Sequence, residues 1–303
     1  MVPNIMRQGR LAPFLYLLPA ILVIGLFIVY PMVDTVRLSF SDRSGEPTAA
    51  NTCLEGQPCW GIFENFRYAL TSSDMLTALR NNALWLLLMV PATVAAGLFI
   101  ALLADRVRYE SLAKAIIFMP MAISFIGAGI IWNFMYHIEA GSGDQIGVLN
   151  AIIVALGGQP VAWMSNSSVN NFALMLVGSW LWAGFCMTIL SAAIKGLPDE
   201  VLEAARVDGA NDWNMFWRII LPMIWPIVVV VTITMLINIL KIFDIVFVMT
   251  GGNFGTEVIA NRMFKLIVTD VGKSTAIAVL LVLFTIPVMI YNVRRFKAEE
   301  GMR

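Results

Sequence analysis

The sequence predicts an all-α integral membrane protein with six transmembrane helices. Three observations carry this. Six apolar runs, at 11–33, 83–104, 112–136, 171–194, 219–246 and 275–293, are each long enough to cross ~30 Å of hydrocarbon, which takes ~20 helical residues. The chain of 303 residues is 59% hydrophobic and 13% charged, against ~45–50% and ~25% in soluble domains. One polar stretch, 197–222, reads LPDEVLEAARVDGANDWNMFWRIILP and holds three Asp, two Glu and two Arg. A membrane protein tolerates such a segment only outside the hydrocarbon core.

Composition excludes other classes. The formal net charge is zero, so no basic field is offered to nucleic acid. Three Cys cannot form a disulfide scaffold or a recognisable zinc site, and a single His excludes clustered-His metal chemistry; no metal is expected.

The first run follows Arg7 and Arg10, and residues 1–10 form a tail. At 23 residues, with Pro19 inside, it exceeds the ~7–15-residue core of a signal peptide and is expected to be a retained first helix. A polar segment, 34–82, comes next. Its Cys53 and Cys59 could close a short disulfide loop in an oxidising periplasm, or remain two free thiols. Within it, 60–82 has apolar residues at helical spacing and reads as one surface helix leading into the second span. Spans two to six make a compact block, 83–293, followed by a tail, 294–303. Pro91, Pro120, Pro222, Pro226 and Pro287 fall inside spans, where each removes a hydrogen bond and kinks its helix. Cys186, in mid-span, is expected to be a small packing residue.

Lys and Arg counts orient the chain. With the N-terminus inside, the inner segments hold twelve and the outer segments seven, with Lys241 left inside span five. Both termini and the 197–218 loop are therefore expected in the cytoplasm.

That loop reads as a helical hairpin. Pro198 suits a first helical position, and Asp199 and Glu200 suit the positive end of a helix dipole. Gly209 is a natural stop, and Asn211 or Asp212 can cap a second helix running into span five. Ala204 and Ala205 give the first helix a slim surface that a groove could accept, and Glu203 and Arg206 are spaced to pair. A plain connector would need only about five residues.

Glu203-Ala204-Ala205, then Gly209, then Ile219-x-Leu221-Pro222, resembles the EAA motif of ABC importer permeases. Asp208, Ala210 and Phe216 also fall where many members of that family have them. FDIVFVMTGG at 243–252, Thr256, the Lys273–Ala276 region and ENF at 64–66 are similar to the sugar-permease branch, with likeness to the larger maltose and α-glucoside subunits. The resemblance implies a type I ABC importer permease fold in a bacterial inner membrane, with a cytoplasmic coupling helix. It implies a second homologous permease, two ATPase subunits and an extracytoplasmic sugar-binding protein as partners. ATP and magnesium would bind at the partner ATPase, with no cofactor on this chain and no enzymatic activity of its own. Glu203, Ala204, Ala205, Asp208 and Gly209 would couple to that ATPase. Gly272-Lys273-Ser274 imitates the end of a phosphate loop, but Ile267 stands where its first glycine is required.

Polar and aromatic residues within spans are candidates for a sugar pathway: Asn133 and Trp132, Trp180 and Trp182, and Asn238, Lys241 and Asp244. The last three are spaced to share one helix face. The alternatives are interfacial aromatic anchoring and a structural Lys–Asp pair. His137 reads as an interfacial residue. An ion-gradient-driven secondary transporter would need more ionisable groups inside the spans, and a membrane enzyme would need paired catalytic groups; neither is provided.

Overall fold

The computed structural model describes residues 12–41, 63–139 and 146–300. Cys53, Cys59 and residues 1–10 lie outside them, as do residues 301–303 of the C-terminal tail. Every regular element among the described residues is helical. Five helices are long and apolar enough to span: Tyr16–Leu38, Ser73–Ala104, Asn170–Lys195, Asp212–Leu240 and Val271–Tyr291. A sixth is a broken pair, Glu110–Ala122 and Phe125–Met135, bent by 100°. The expected continuous third span, 112–136, is thus corrected. Pro120 lies in a 3₁₀ turn, Met119–Ala122, and Ser124 caps the next helix by accepting from Gly127 N at 3.0 Å.

Three other prolines act differently from simple kinks, whereas Pro226 and Pro287 lie inside α-helices. Pro31, Pro91 and Pro222 each follow a five-residue π turn by two positions: Gly25–Val29, Trp85–Met89 and Phe216–Ile220. A proline ring clashes with the carbonyl four residues earlier. Widening the preceding turn makes room for it without ending the helix.

The residues fall into two compact units, one of Met1–Thr71 with Met263–Leu280, the other of Ser72–Arg262 with Leu281–Arg303. In the first, the Tyr16–Leu38 span has no buried residue in its most apolar window. Asn65 Nδ2 donates to Ser39 O (3.0 Å) and Ser41 O (3.1 Å), carbonyls just past the end of that span. Lys273 Nζ lies 5.2 Å from the Tyr68 ring centroid and 2.5 Å from Asp270, so the phosphate-loop look-alike serves local packing.

In the second unit, span two packs along span four, a contact built on small residues as membrane helix pairs commonly are. A side chain at Gly97 would collide with the Cys186 Cβ. Cys186 is fully buried there, and Thr93 and Ser179 hydroxyls meet at 2.8 Å. Trp85, Met89, Leu174, Met187, Leu190, Ile224 and Met235 fill the core around this seam.

Three expected boundaries change. The 60–82 surface helix is two helices, Glu64–Thr71 and Ser73–Leu84, because Ser72 adopts an extended backbone and caps the second by accepting from Met75 N. That second helix is continuous with span two. Span five starts earlier, at Asp212, and ends at Leu240 rather than 246. A short helix, Asp244–Met249, follows the break.

Candidate functional site

The hairpin begins with helix Asp199–Val207. Pro198 sits one residue outside it, at the cap, with Asp199 and Glu200 in the first turn. At the other end Gly209 has φ +82°, a left-handed backbone that glycine adopts without strain. Gly209 N donates to Arg206 O at 3.1 Å and Ala210 N to Ala205 O at 3.0 Å. This pair of bonds is a Schellman cap and satisfies carbonyls that would otherwise be orphaned. Asn211, not Asp212, caps the second helix, its Oδ1 accepting from Asn214 N at 2.8 Å.

The two alanines do not share a face. Ala205 is 8% exposed and, with Met215, forms the hairpin's interior, whereas Ala204 is exposed. The expected slim surface thus consists of Ala204 alone, flanked by exposed Glu203, Val207 and Asp208. No ion pair joins Glu203 to Arg206 among the described residues; Arg206 and Glu203 both face solvent. Instead Arg106, just past span two, reaches Asp212 at 3.1 Å. Both side chains of that pair are well exposed, so it contributes at most ~1 kcal/mol. The firmer link is covalent: the second helix of the hairpin is the first turn of span five.

Beside the hairpin lies a charge cluster that reading the sequence missed. Lys114 Nζ is 2.5 Å from Asp105 Oδ1 and 2.5 Å from Glu110 Oε1. Ser191 Oγ donates to Asp105 at 2.8 Å, and Lys195 pairs with Glu110. The ends of spans two, three and four are tied together at the same end of the bundle as the hairpin. Only Glu110 and Lys114, four residues apart, form a local pattern; Asp105, Ser191 and Lys195 reach the cluster from other helix ends.

At the opposite end, buried asparagines hold the 250–261 loop. Asn82 donates to Leu240 O (3.1 Å) and accepts from Ile259 N (2.9 Å), bridging the break after span five. Asn81 Nδ2 donates to Gly255 O and Glu257 O at 2.7 and 2.8 Å. Asn170 Nδ2 donates to Phe254 O at 2.9 Å, fixing Phe254 at φ +55°. Adjacent asparagines heading an apolar run were the available signal, since amides at that depth need partners. Another, Asn150, is fully buried and makes four bonds: to His137 O, Val161 O, Val161 N and the Trp163 indole.

The pathway candidates separate. Trp180 packs edge-on against Trp132 at 5.7 Å, and Trp132, Tyr136 and Trp163 continue the aromatic series at 5.2 and 5.5 Å. Asn133 and Tyr136 line a cavity of about 330 Å³ with Trp163 and Phe254. Trp182, two residues from Trp180, faces elsewhere and meets Phe125 and Phe185. The expectation that Asn238, Lys241 and Asp244 share one helix face is corrected, because the helix ends at Leu240. Asn238 Nδ2 bonds back to Thr234 O at 2.8 Å. Lys241 is exposed at the cap, Asp244 opens the next helix, and no ion pair joins them among the described residues.

Comparison with known proteins gives the family of the chain. Residues 93–294 match the family described as "Binding-protein-dependent transport system inner membrane component". The chain is 50% identical to an osmoprotective compounds uptake permease of Synechocystis sp., over 95% of this chain and all of that one. It is 42% identical to an alpha-glucoside transport system permease of Rhizobium meliloti, over 98% of this chain and 86% of that one. In fold it is similar to a chain of a bacterial ABC transporter that imports the acidic polysaccharide alginate, with TM-score 0.76 at 22% identity, covering 94% of this chain and 95% of that one. The chain belongs to the binding-protein-dependent inner membrane component family. It is a multi-pass permease subunit of an ATP-driven ABC importer, not its ATPase and not a secondary transporter.

Proposed function

We propose that this permease carries an α-glucoside or a similarly small, neutral polyhydroxylated solute, and that the 199–215 hairpin is its handle for a partner ATPase. The observation that carries the substrate reading is the 42% identity, over 98% of this chain, to the alpha-glucoside permease. The aromatic series Trp180–Trp132–Tyr136 beside Asn133 supports it. Sugars pack their apolar C–H faces on rings and bond their hydroxyls to amides.

In this reading both termini and the hairpin are cytoplasmic, in a bacterial inner membrane. Two ATPase subunits, a second homologous permease and an extracytoplasmic sugar-binding protein complete the importer; ATP and magnesium bind at the ATPases. A cleft on one ATPase accepts Glu203, Ala204, Val207 and Asp208, the outward residues of the capped helix. Closure of the ATPases moves the hairpin, and span five moves with it because the hairpin's second helix is the first turn of that span. The Asp105–Lys114–Glu110–Lys195 cluster makes spans two, three and four follow as a group. That motion converts inward-facing to outward-facing arrangements around the sugar.

Uptake of radiolabelled maltose, trehalose and sucrose by cells lacking the chain, with and without its plasmid copy, tests the substrate. Uptake of at least one that depends on the chain and on energised ATP pools supports the reading. Uptake only of charged or amino-acid solutes overturns it.

A further inference from the structure

We infer that the groove between span two and the hairpin is a binding site for an anionic glycerophospholipid. The groove has a volume of about 550 Å³, within the ~300–1,000 Å³ typical of small-ligand sites. Its wall on span two is apolar from Ala95 to Leu103. That is ~12 Å of helix, close to the ~15 Å depth of one leaflet. Leu98, Phe99 and Leu102 line this part.

The opposite wall is aromatic. Phe216 and Trp217 rings lie 5.0 Å apart, and Trp217 and Trp213 5.6 Å apart. Trp213 and Trp217 are 70% and 48% exposed, where indoles collect at the boundary between hydrocarbon and headgroups. The mouth at that level holds three charges: Arg106, Arg206 and Asp212. Asp212 is taken by Arg106 at 3.1 Å. Arg206 has no ion pair among the described residues and leaves the mouth net positive.

An occupant must therefore be apolar over one leaflet and negative at the interface. A phospholipid with an anionic head satisfies both: acyl chain along Leu98 and Leu102, phosphate at Arg206. A helix of a partner protein would supply the first but has no reason to end in a negative group at that depth. Such a lipid would wedge the first hairpin helix, which carries Arg206, against span two, on the element expected to transmit ATPase motion. The site does not depend on which solute is carried.

The test uses the assembled importer purified in mild detergent. Native mass spectra are recorded after exchange into phosphatidylglycerol or phosphatidylcholine. Wild type is expected to retain phosphatidylglycerol about fivefold over phosphatidylcholine, the ratio one guanidinium at the surface provides. Arg206→Gln should abolish that preference, and Leu102→Trp, which fills the groove, should lower retention of both lipids. Equal retention of the two lipids by wild type, or unchanged retention in both variants, overturns the site. A photo-cross-linking residue at Phe99 gives a second readout independent of variant folding: a lipid adduct supports the site, and a cross-link to a partner permease or ATPase overturns it.

Discussion

Lys114 Nζ lies 2.5 Å from Asp105 Oδ1, and this contact closes the end of span two onto the start of span three. The two side chains are only 20% and 15% exposed. Removing one partner of a shielded pair strands the other charge, at a cost of ~3–5 kcal/mol, whereas removing both can be nearly neutral. Lys114→Met should therefore lower the thermal midpoint of the purified complex and its transport. Asp105→Asn with Lys114→Met should recover much of the loss. A double variant as impaired as the sum of the singles would show that the pair does not act as a unit.

Gly209 should tolerate no change that forbids a left-handed backbone. Gly209→Ala is expected to cost ~1–2 kcal/mol of local strain. Gly209→Pro also removes the N–H that caps Arg206 O. The proline variant should insert in the membrane, fail to co-purify the ATPase and lose uptake. Wild-type uptake would end the assignment of the hairpin as the ATPase handle.

The two alanines of the hairpin should respond differently to the same bulk. Ala204→Trp changes an exposed position, so the chain should stay stable while ATPase co-purification falls. Ala205→Trp overpacks an interior position that is 8% exposed, and should destabilise by ~1–3 kcal/mol. Glu203→Lys should behave as Ala204→Trp does, because Glu203 is exposed and outside any ion pair among the described residues. Protease sensitivity of the 197–218 segment, measured beside co-purification, separates the two kinds of loss.

Trp180→Ala and Asn133→Ala should reduce sugar uptake about tenfold with assembly intact, in line with loss of ~1–1.5 kcal/mol of stacking or hydrogen bonding. Asn238→Ala should have a smaller effect, since one of its amide N–H groups is already bonded to Thr234 O. If Asn238→Ala is the more damaging, the pathway runs along span five instead.

Asn150→Ala should loosen the 146–169 connection. It leaves Val161 N and the Trp163 indole, both half-buried, without the acceptor that the fully buried Asn150 supplies. Each orphaned group costs ~1–3 kcal/mol. Faster hydrogen exchange at Val161 and Trp163, with the hairpin unaffected, is the expected signature.

The sequence by itself determined the helical membrane class, the approximate spans, and the hairpin with its stop at Gly209. These follow from forces local in the chain: apolar length against hydrocarbon thickness, cap chemistry, and glycine's backbone freedom. It also indicated the family, because the EAA spacing lies within twenty residues. Only the tertiary structure decided what depends on distant partners. It turned Ala205 inward and Ala204 outward, broke span five before Lys241, and parted Trp180 from Trp182. It also gathered Asp105, Glu110, Lys114, Ser191 and Lys195 into one cluster, and set Asn81 and Asn82 against a loop more than 150 residues away. A buried polar group takes whichever partner packing brings within reach. Spacing along the chain cannot name that partner when it sits on another helix.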